Sequence, residues 1–117
     1  AKAFVEEGGF DKAEQQLTLL IASKPDQPIE MLARKRLSAV MLQLGKLDQA
    51  YQTLDIDFPS QFAAAFEELK GDILVEQGKT DGAKEAYQRA RLAQPPVANP
   101  QFLQQKLENL SSPTQTG

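Results

Sequence analysis

The chain contains no cysteine, no histidine and no tryptophan in 117 residues. Without histidine there is no imidazole general base, no serine–histidine pair and no imidazole metal ligand. Without cysteine, disulfides, thiolate catalysis and thiolate metal sites fall together, and the composition suits a reducing or an oxidising compartment equally. Positive charge is also short: 13 Lys and Arg stand against 16 Asp and Glu, a net charge of -3, with a sequence pI of about 4.9. There is no basic footprint for nucleic acid or for an anionic membrane surface. No stretch nears the roughly 18 consecutive apolar residues that span a bilayer, and the N-terminus lacks a charged segment leading into an apolar one. A phosphate-cradling loop is missing as well, because Gly8-Gly9 is not followed by the lysine and the serine or threonine of such loops. No catalytic residue, metal or cofactor is expected.

What is present is a repeat. Three times a glycine is followed by an aspartate and then an alanine at the same spacing: Gly8, Asp11 and Ala13; Gly45, Asp48 and Ala50; Gly78, Asp81 and Ala83. Counting from 45 to 78, the last two copies lie 33 residues apart, and counting from 13 to 50, the first alanine precedes the second by 37. Both values are close to the roughly 34-residue period of paired-helix repeats, whose units bury their apolar faces by stacking on neighbours. The extra residues fit the loop of Lys24, Pro25, Asp26, Gln27 and Pro28, where two prolines end one helix and delay the next.

Each copy has the same physical content. The glycine is placed to end a helix in the left-handed conformation. Asp11, Asp48 and Asp81 are placed to cap the next helix or to sit in its first turn, against the positive end of the helix dipole. Ala13, Ala50 and Ala83 are small where two helices approach, and Leu17, Leu54 and Tyr87 follow four residues later on the same face. This is a pattern of core residues.

Helical spacing predicts a stub over 3–7 ending at Gly8-Gly9, then helices over 11–23, 29–44, 47–54, 62–77 and 81–94, with Pro95-Pro96 as a stop. Ala13, Leu17, Leu20 and Ile21 share one face of the first full helix, Leu37, Val40, Met41 and Leu44 one face of the second, and Phe62, Phe66, Leu69 and Ile73 one face of the helix over 62–77. Asn99-Pro100 reads as an N-cap with proline at the first helical position, opening a terminal helix with Phe102, Leu103, Leu107 and Leu110 inward. The expected organisation is one all-α repeat domain over 1–110: a truncated first hairpin (1–25), repeats over 29–57 and 62–94, and a capping helix over 100–110. A disordered tail is expected over 111–117. Because the chain opens inside the pattern, more of the array is expected to precede it.

The third copy carries Gly71, Leu74, Gly78, Ala83, Tyr87, Ala90 and Pro95 at the signature spacings of the tetratricopeptide repeat, which it resembles. The second fits through Leu37, Ser38, Met41, Gly45, Ala50 and Leu54, with Asp57 and Phe62 where alanine and proline are usual. The first is represented by Gly8, Ala13 and Pro25, with Leu20 in place of an alanine. The tryptophan-type position is Arg34 in copy two and Glu67 in copy three. The resemblance implies an α-solenoid of helical hairpins closed by a capping helix.

A closer resemblance covers residues 29–110. The run from Phe62 to Leu74, the segment from Gly78 to Tyr87 and the closing Leu107, Glu108, Asn109 and Leu110 look like the C-terminal part of the YfgM family. That resemblance implies a bacterial inner-membrane protein with one N-terminal anchor, absent from this chain, and a repeat domain on the periplasmic side. It further implies an ancillary subunit of the SecYEG translocon that associates with the periplasmic chaperone PpiD and helps hand over secreted proteins, with client peptides as further partners. The alternatives are another periplasmic tetratricopeptide scaffold, in envelope biogenesis or coordination of cell division, and a small-ligand carrier.

For a repeat of this type the first helices line the concave surface, and the expected partner-binding residues are Leu32, Lys35, Ala39, Leu42, Glu68, Asp72, Val75 and Glu76. Glu68, Asp72 and Glu76 recur at i, i+4 and i+8, an acidic stripe that serves either as a solvated face or as a contact for a basic partner. Arg34, Lys35 and Arg36 point to different sides of their helix, so at most two serve one ligand. Repeat domains that clamp a peptide's terminal carboxylate use lysine and asparagine on successive first helices. Here Lys35 fits, but Ala39 and Glu68 do not. An acidic and apolar face suits an amphipathic or extended segment with basic residues, and self-association of the domain stays open beside it.

Overall fold

The computed structural model describes residues 7–111, with side chains over 9–110. The described residues are helical throughout apart from turns and connecting loops. They fall into two compact units that divide between Ile56 and Asp57. The first contains α1 (Glu7–Ala22), α2 (Gln27–Gln43) and α3 (Leu47–Leu54). The second contains a 3-10 turn (Ser60–Phe62) and then α4 (Ala63–Glu76), α5 (Thr80–Leu92) and α6 (Pro100–Ser111).

The expected break at Gly8-Gly9 is not there. The described part of α1 opens at Glu7 and runs through both glycines, so Asp11 lies inside the helix rather than at its start. Glycine permits a left-handed turn without requiring one, and each mid-helix glycine costs only about 1 kcal/mol relative to alanine. Here the half-buried Phe10 stands in helical register with Glu14 and Leu17, all on the inward side of α1. The stub expected over 3–7 lies, except for Glu7, outside the described residues, as do residues 112–117 of the expected tail; Ser111 is the last residue of α6. α1 ends instead at the proline-bearing loop, where Lys24 takes a left-handed φ of 56° and its N–H donates to the Ile21 carbonyl at 3.0 Å.

At Gly45 and Gly78 the glycine expectation holds in detail. Their φ values are 78° and 79°. The N–H of Gly45 donates to Leu42 at 3.1 Å and that of Lys46 to Met41 at 2.9 Å; the N–H of Gly78 donates to Val75 at 3.0 Å and that of Lys79 to Leu74 at 2.9 Å. These are two copies of one Schellman ending, which satisfies the carbonyls a helix leaves open. In both, the residue after the glycine accepts the first bond of the next helix, Ala50 to Lys46 and Ala83 to Lys79, each at 2.9 Å. Asp48 and Asp81 then sit in the first turns of α3 and α5, at the positive end of each helix dipole, while the N-cap positions are held by Lys46 and Lys79.

In the first unit α1 packs on α2 and α2 on α3, around Met31, Ala33, Leu37, Ala50 and Leu54. Leu20, expected inward, is 39% exposed and Leu19 is 70% exposed. The Ser38 hydroxyl, fully buried, donates to the Ala50 carbonyl at 2.8 Å. Lys46 pairs with Glu14 at 2.8 Å, joining the α2–α3 turn to α1.

In the second unit α4 packs on α5 and α5 on α6, around Phe66, Ile73, Ala83, Ala86, Tyr87 and Leu103. Phe58 lies 4.8 Å from the Phe66 ring centroid, and the ammonium of the largely buried Lys70 lies 5.4 Å over Phe58. Asn99 caps α6 as expected, its Oδ1 accepting from the Phe102 N–H at 3.0 Å.

The two departures at the tryptophan-type position are explained by the structure. Arg34 pairs with Glu30 at 2.9 Å and donates to the Thr53 carbonyl at 3.1 Å, in the last turn of α3, where a cation meets the negative end of the dipole. Glu67 pairs with Arg89 of α5 at 3.0 Å. In each hairpin a polar link between the two helices stands where the signature has a large apolar side chain.

Candidate functional site

The eight expected contact residues divide between the units. On α2, Leu32 is 41% exposed, while Lys35, Ala39 and Leu42 are half-buried. Arg34 is held against Glu30 and Thr53, and Arg36 is exposed. On α4, Val75 and Glu76 are exposed and Glu68 and Asp72 half-buried.

The densest polar site is built around that last pair. α4 supplies Glu68 and Asp72 one turn apart, because residues at i and i+4 share a helix face. α6 supplies Lys106, whose Nζ lies 2.9 Å from Glu68 Oε2 and 2.9 Å from Asp72 Oδ1. α5 supplies Tyr87, whose hydroxyl donates to the same Asp72 oxygen at 2.6 Å. The position of Tyr87 depends on Gly71: a Cβ there would meet the tyrosine ring, so only glycine lets α4 and the ring come this close. The ammonium is also flanked by ring faces, 5.7 Å from the Tyr87 centroid and 4.7 Å from that of Phe102. Phe102, expected inward, is 51% exposed and covers the lysine instead. The placement thus runs from Gly71 through Tyr87 to Asp72 and on to Lys106 and Glu68.

Electrostatics fixes the protonation of the two donors. Tyr87 has its pKa pushed far up, first by burial, then by the hydrogen bond to Asp72 and the negative charge of Asp72, Glu68 and Glu76. For Lys106 burial acts downward, but the hydrogen bonds and charges of Glu68 and Asp72 outweigh it and the pKa rises. Tyr87 therefore remains a hydrogen-bond donor and Lys106 a cation. Both shifts lead away from nucleophilic or general-base use, which needs the deprotonated form near neutral pH. What the arrangement does is hold a lysine on a helix.

Lys106 and Phe102 are not among the expected contact residues. The signal that could have found them is Lys106 itself, the only cation in α6, in register with Phe102 and next to Leu107. Its sign is opposite to that of the stripe on α4. Among the described residues no group of three or more acidic side chains is arranged to hold a metal ion, and no helix is long and apolar enough to cross a membrane.

A family model described as a tetratricopeptide repeat-like domain matches residues 1–112. The chain is 31% identical over 111 residues to an ancillary SecYEG translocon subunit of Escherichia coli, covering 95% of this chain and 54% of the relative. It is 35% identical over 103 residues to a protein of the same name from Neisseria gonorrhoeae, covering 86% of this chain and 49% of that one. With the Haemophilus influenzae protein of that name the identity is 34%, over 94% of this chain and 53% of the relative. The chain spans about half the length of the curated relatives it matches. No solved structure matches it.

Proposed function

The chain belongs to the tetratricopeptide repeat-like domain family, and on that premise we propose that it is the protein-interaction part of an ancillary SecYEG translocon subunit. The observation that carries the proposal is the pair of matching helix–glycine–helix turns at Gly45 and Gly78, joined to identities above 30% with relatives that bear this name. Hairpins of this kind present an exposed face of the first helix to a partner, and Leu32 on α2 and Val75 with Glu76 on α4 are the exposed members of the expected contact residues.

In this reading the domain works on the periplasmic side of the inner membrane, anchored by a segment outside this chain. It contacts the translocon and a PpiD-like chaperone, and it helps pass on secreted proteins as they emerge. The role asks for shape and charge rather than reactivity, in keeping with the protonated states of Tyr87 and Lys106.

The test is photocrosslinking in membranes, with a photoreactive residue at Leu32 or at Val75 of the full-length protein. Crosslinks to translocon subunits or to a periplasmic chaperone are expected. Crosslinks confined to a second copy of the same protein at both positions would overturn the translocon assignment of these faces.

A further inference from the structure

α6 is joined to α5 by an irregular segment. Ala93 is extended, at φ -69° and ψ 151°, and Gln94, Pro95 and Pro96 are exposed. The first turn of α6 is closed from within its own segment by Asn99. Its apolar hold is narrow: Leu103 and Leu107 are buried and Leu110 is half-buried, while Phe102 is half-exposed and Gln104, Gln105 and Glu108 face solvent. Its polar hold on α4 is a single side chain, Lys106, and the three charged groups of that cluster are each 19–30% exposed, within reach of water and salt.

A helix held chiefly by two leucines and one lysine between carboxylates is bound as a separate amphipathic helix would be bound in a groove. A competing helix with the same three side chains would replace these contacts one for one. Resting on the reading of the chain as a protein-interaction module, we propose that α6 is a displaceable occupant of the α4–α5 face, standing where a lysine-bearing amphipathic helix of a partner protein binds. The cradle for that helix is Glu68 and Asp72 with Tyr87, and the partner's lysine takes the position of the Lys106 ammonium. α6 thereby keeps the face closed until the partner arrives.

Two measurements on the whole chain test this. Hydrogen exchange of the unaltered protein should show α6 amides opening faster than those of α4 and α5, and faster still as salt is raised. A labelled peptide with the sequence of residues 99–111 should bind Lys106→Glu, in which the new carboxylate repels α6 from Glu68 and Asp72, about tenfold or more tighter than it binds the unaltered chain. The same peptide with its lysine changed to glutamate should lose that gain. If α6 exchanges only together with α4 and α5, α6 is a permanent cap and the proposal falls, and the exchange result stands even where Lys106→Glu does not fold. Equal peptide binding by a folded Lys106→Glu and the unaltered chain overturns it as well. Either failure leaves crosslinking at Leu32 and Val75 untouched, so loss of the latch is distinguishable from loss of the interaction reading.

Discussion

The hairpins α2–α3 and α4–α5 share one turn geometry and differ in what fills the space between their helices. Counting back 33 residues, Gly71 corresponds to Ser38, Tyr87 to Leu54, Asp72 to Ala39 and Glu68 to Lys35. In the first hairpin the small residue is a serine whose hydroxyl bonds the facing helix at Ala50, and a leucine completes the core. In the second, loss of the side chain at Gly71 admits a tyrosine ring, and the ring's hydroxyl reaches Asp72. One exchange of volume between facing helices thus decides whether a tyrosine hydroxyl can reach the first helix of the hairpin. Repetition preserves turns and contacts, and function enters through the few positions where a large side chain and a small one change places.

Breaking that exchange should have graded effects. Tyr87→Ala removes a buried ring and its hydrogen bond and should cost about 3–5 kcal/mol in urea unfolding, whereas Leu54→Ala should cost about 2–5 kcal/mol without altering α6. A loss well below about 3 kcal/mol for Tyr87→Ala would show that the ring is not part of the core. Next comes Gly71→Ser, which imposes the first hairpin's residue on the second. Crowding against Tyr87 should destabilise by about 1–3 kcal/mol, and the reverse change, Ser38→Gly, by about 1 kcal/mol through the lost bond to Ala50.

The turns themselves should respond alike. At Gly45 and Gly78 an added Cβ meets nothing within 4 Å, so alanine is opposed there by the left-handed backbone alone, at about 1–2 kcal/mol in either hairpin. Thermal melts that differ widely between Gly45→Ala and Gly78→Ala would show the two turns to be unequal.

The smallest effect is in alkali. Tyr87 is raised from 10.0 and Lys106 from 10.5, so the folded state holds both protons more tightly than the unfolded chain. The stability this contributes is complete below about pH 10 and is lost as pH rises through the folded values. Urea midpoints from roughly pH 8 to pH 11 should therefore fall more steeply in the unaltered protein than in Tyr87→Phe above about pH 10, and run parallel below it.

Much of this was legible in the sequence. The glycines at 45 and 78, the cap at Asn99 and the helices between them obey rules that act over a few residues, and the structure places them as expected. The break at Gly8-Gly9 misled because a glycine allows a left-handed turn without enforcing it, and the neighbouring residues decide whether the turn forms. The inward expectation for Phe102 failed for a related reason. Periodicity gives the face of α6 but not its neighbour's chemistry, and a ring beside a cation is satisfied half-exposed. Spacing also showed the acidic stripe on α4 and left its partner open.

By itself the sequence determined where most of the helices begin and end and which residues are small where helices cross, because turn conformation, capping and helical periodicity are local. Only the tertiary structure decided what neutralises the stripe. Lys106 stands 38 residues from Glu68 and 34 from Asp72, and Tyr87 reaches Asp72 across a gap that exists only because Gly71 faces it. Contacts between distant parts of a chain depend on how its faces pack, and packing is fixed by volumes that meet only after the chain has folded.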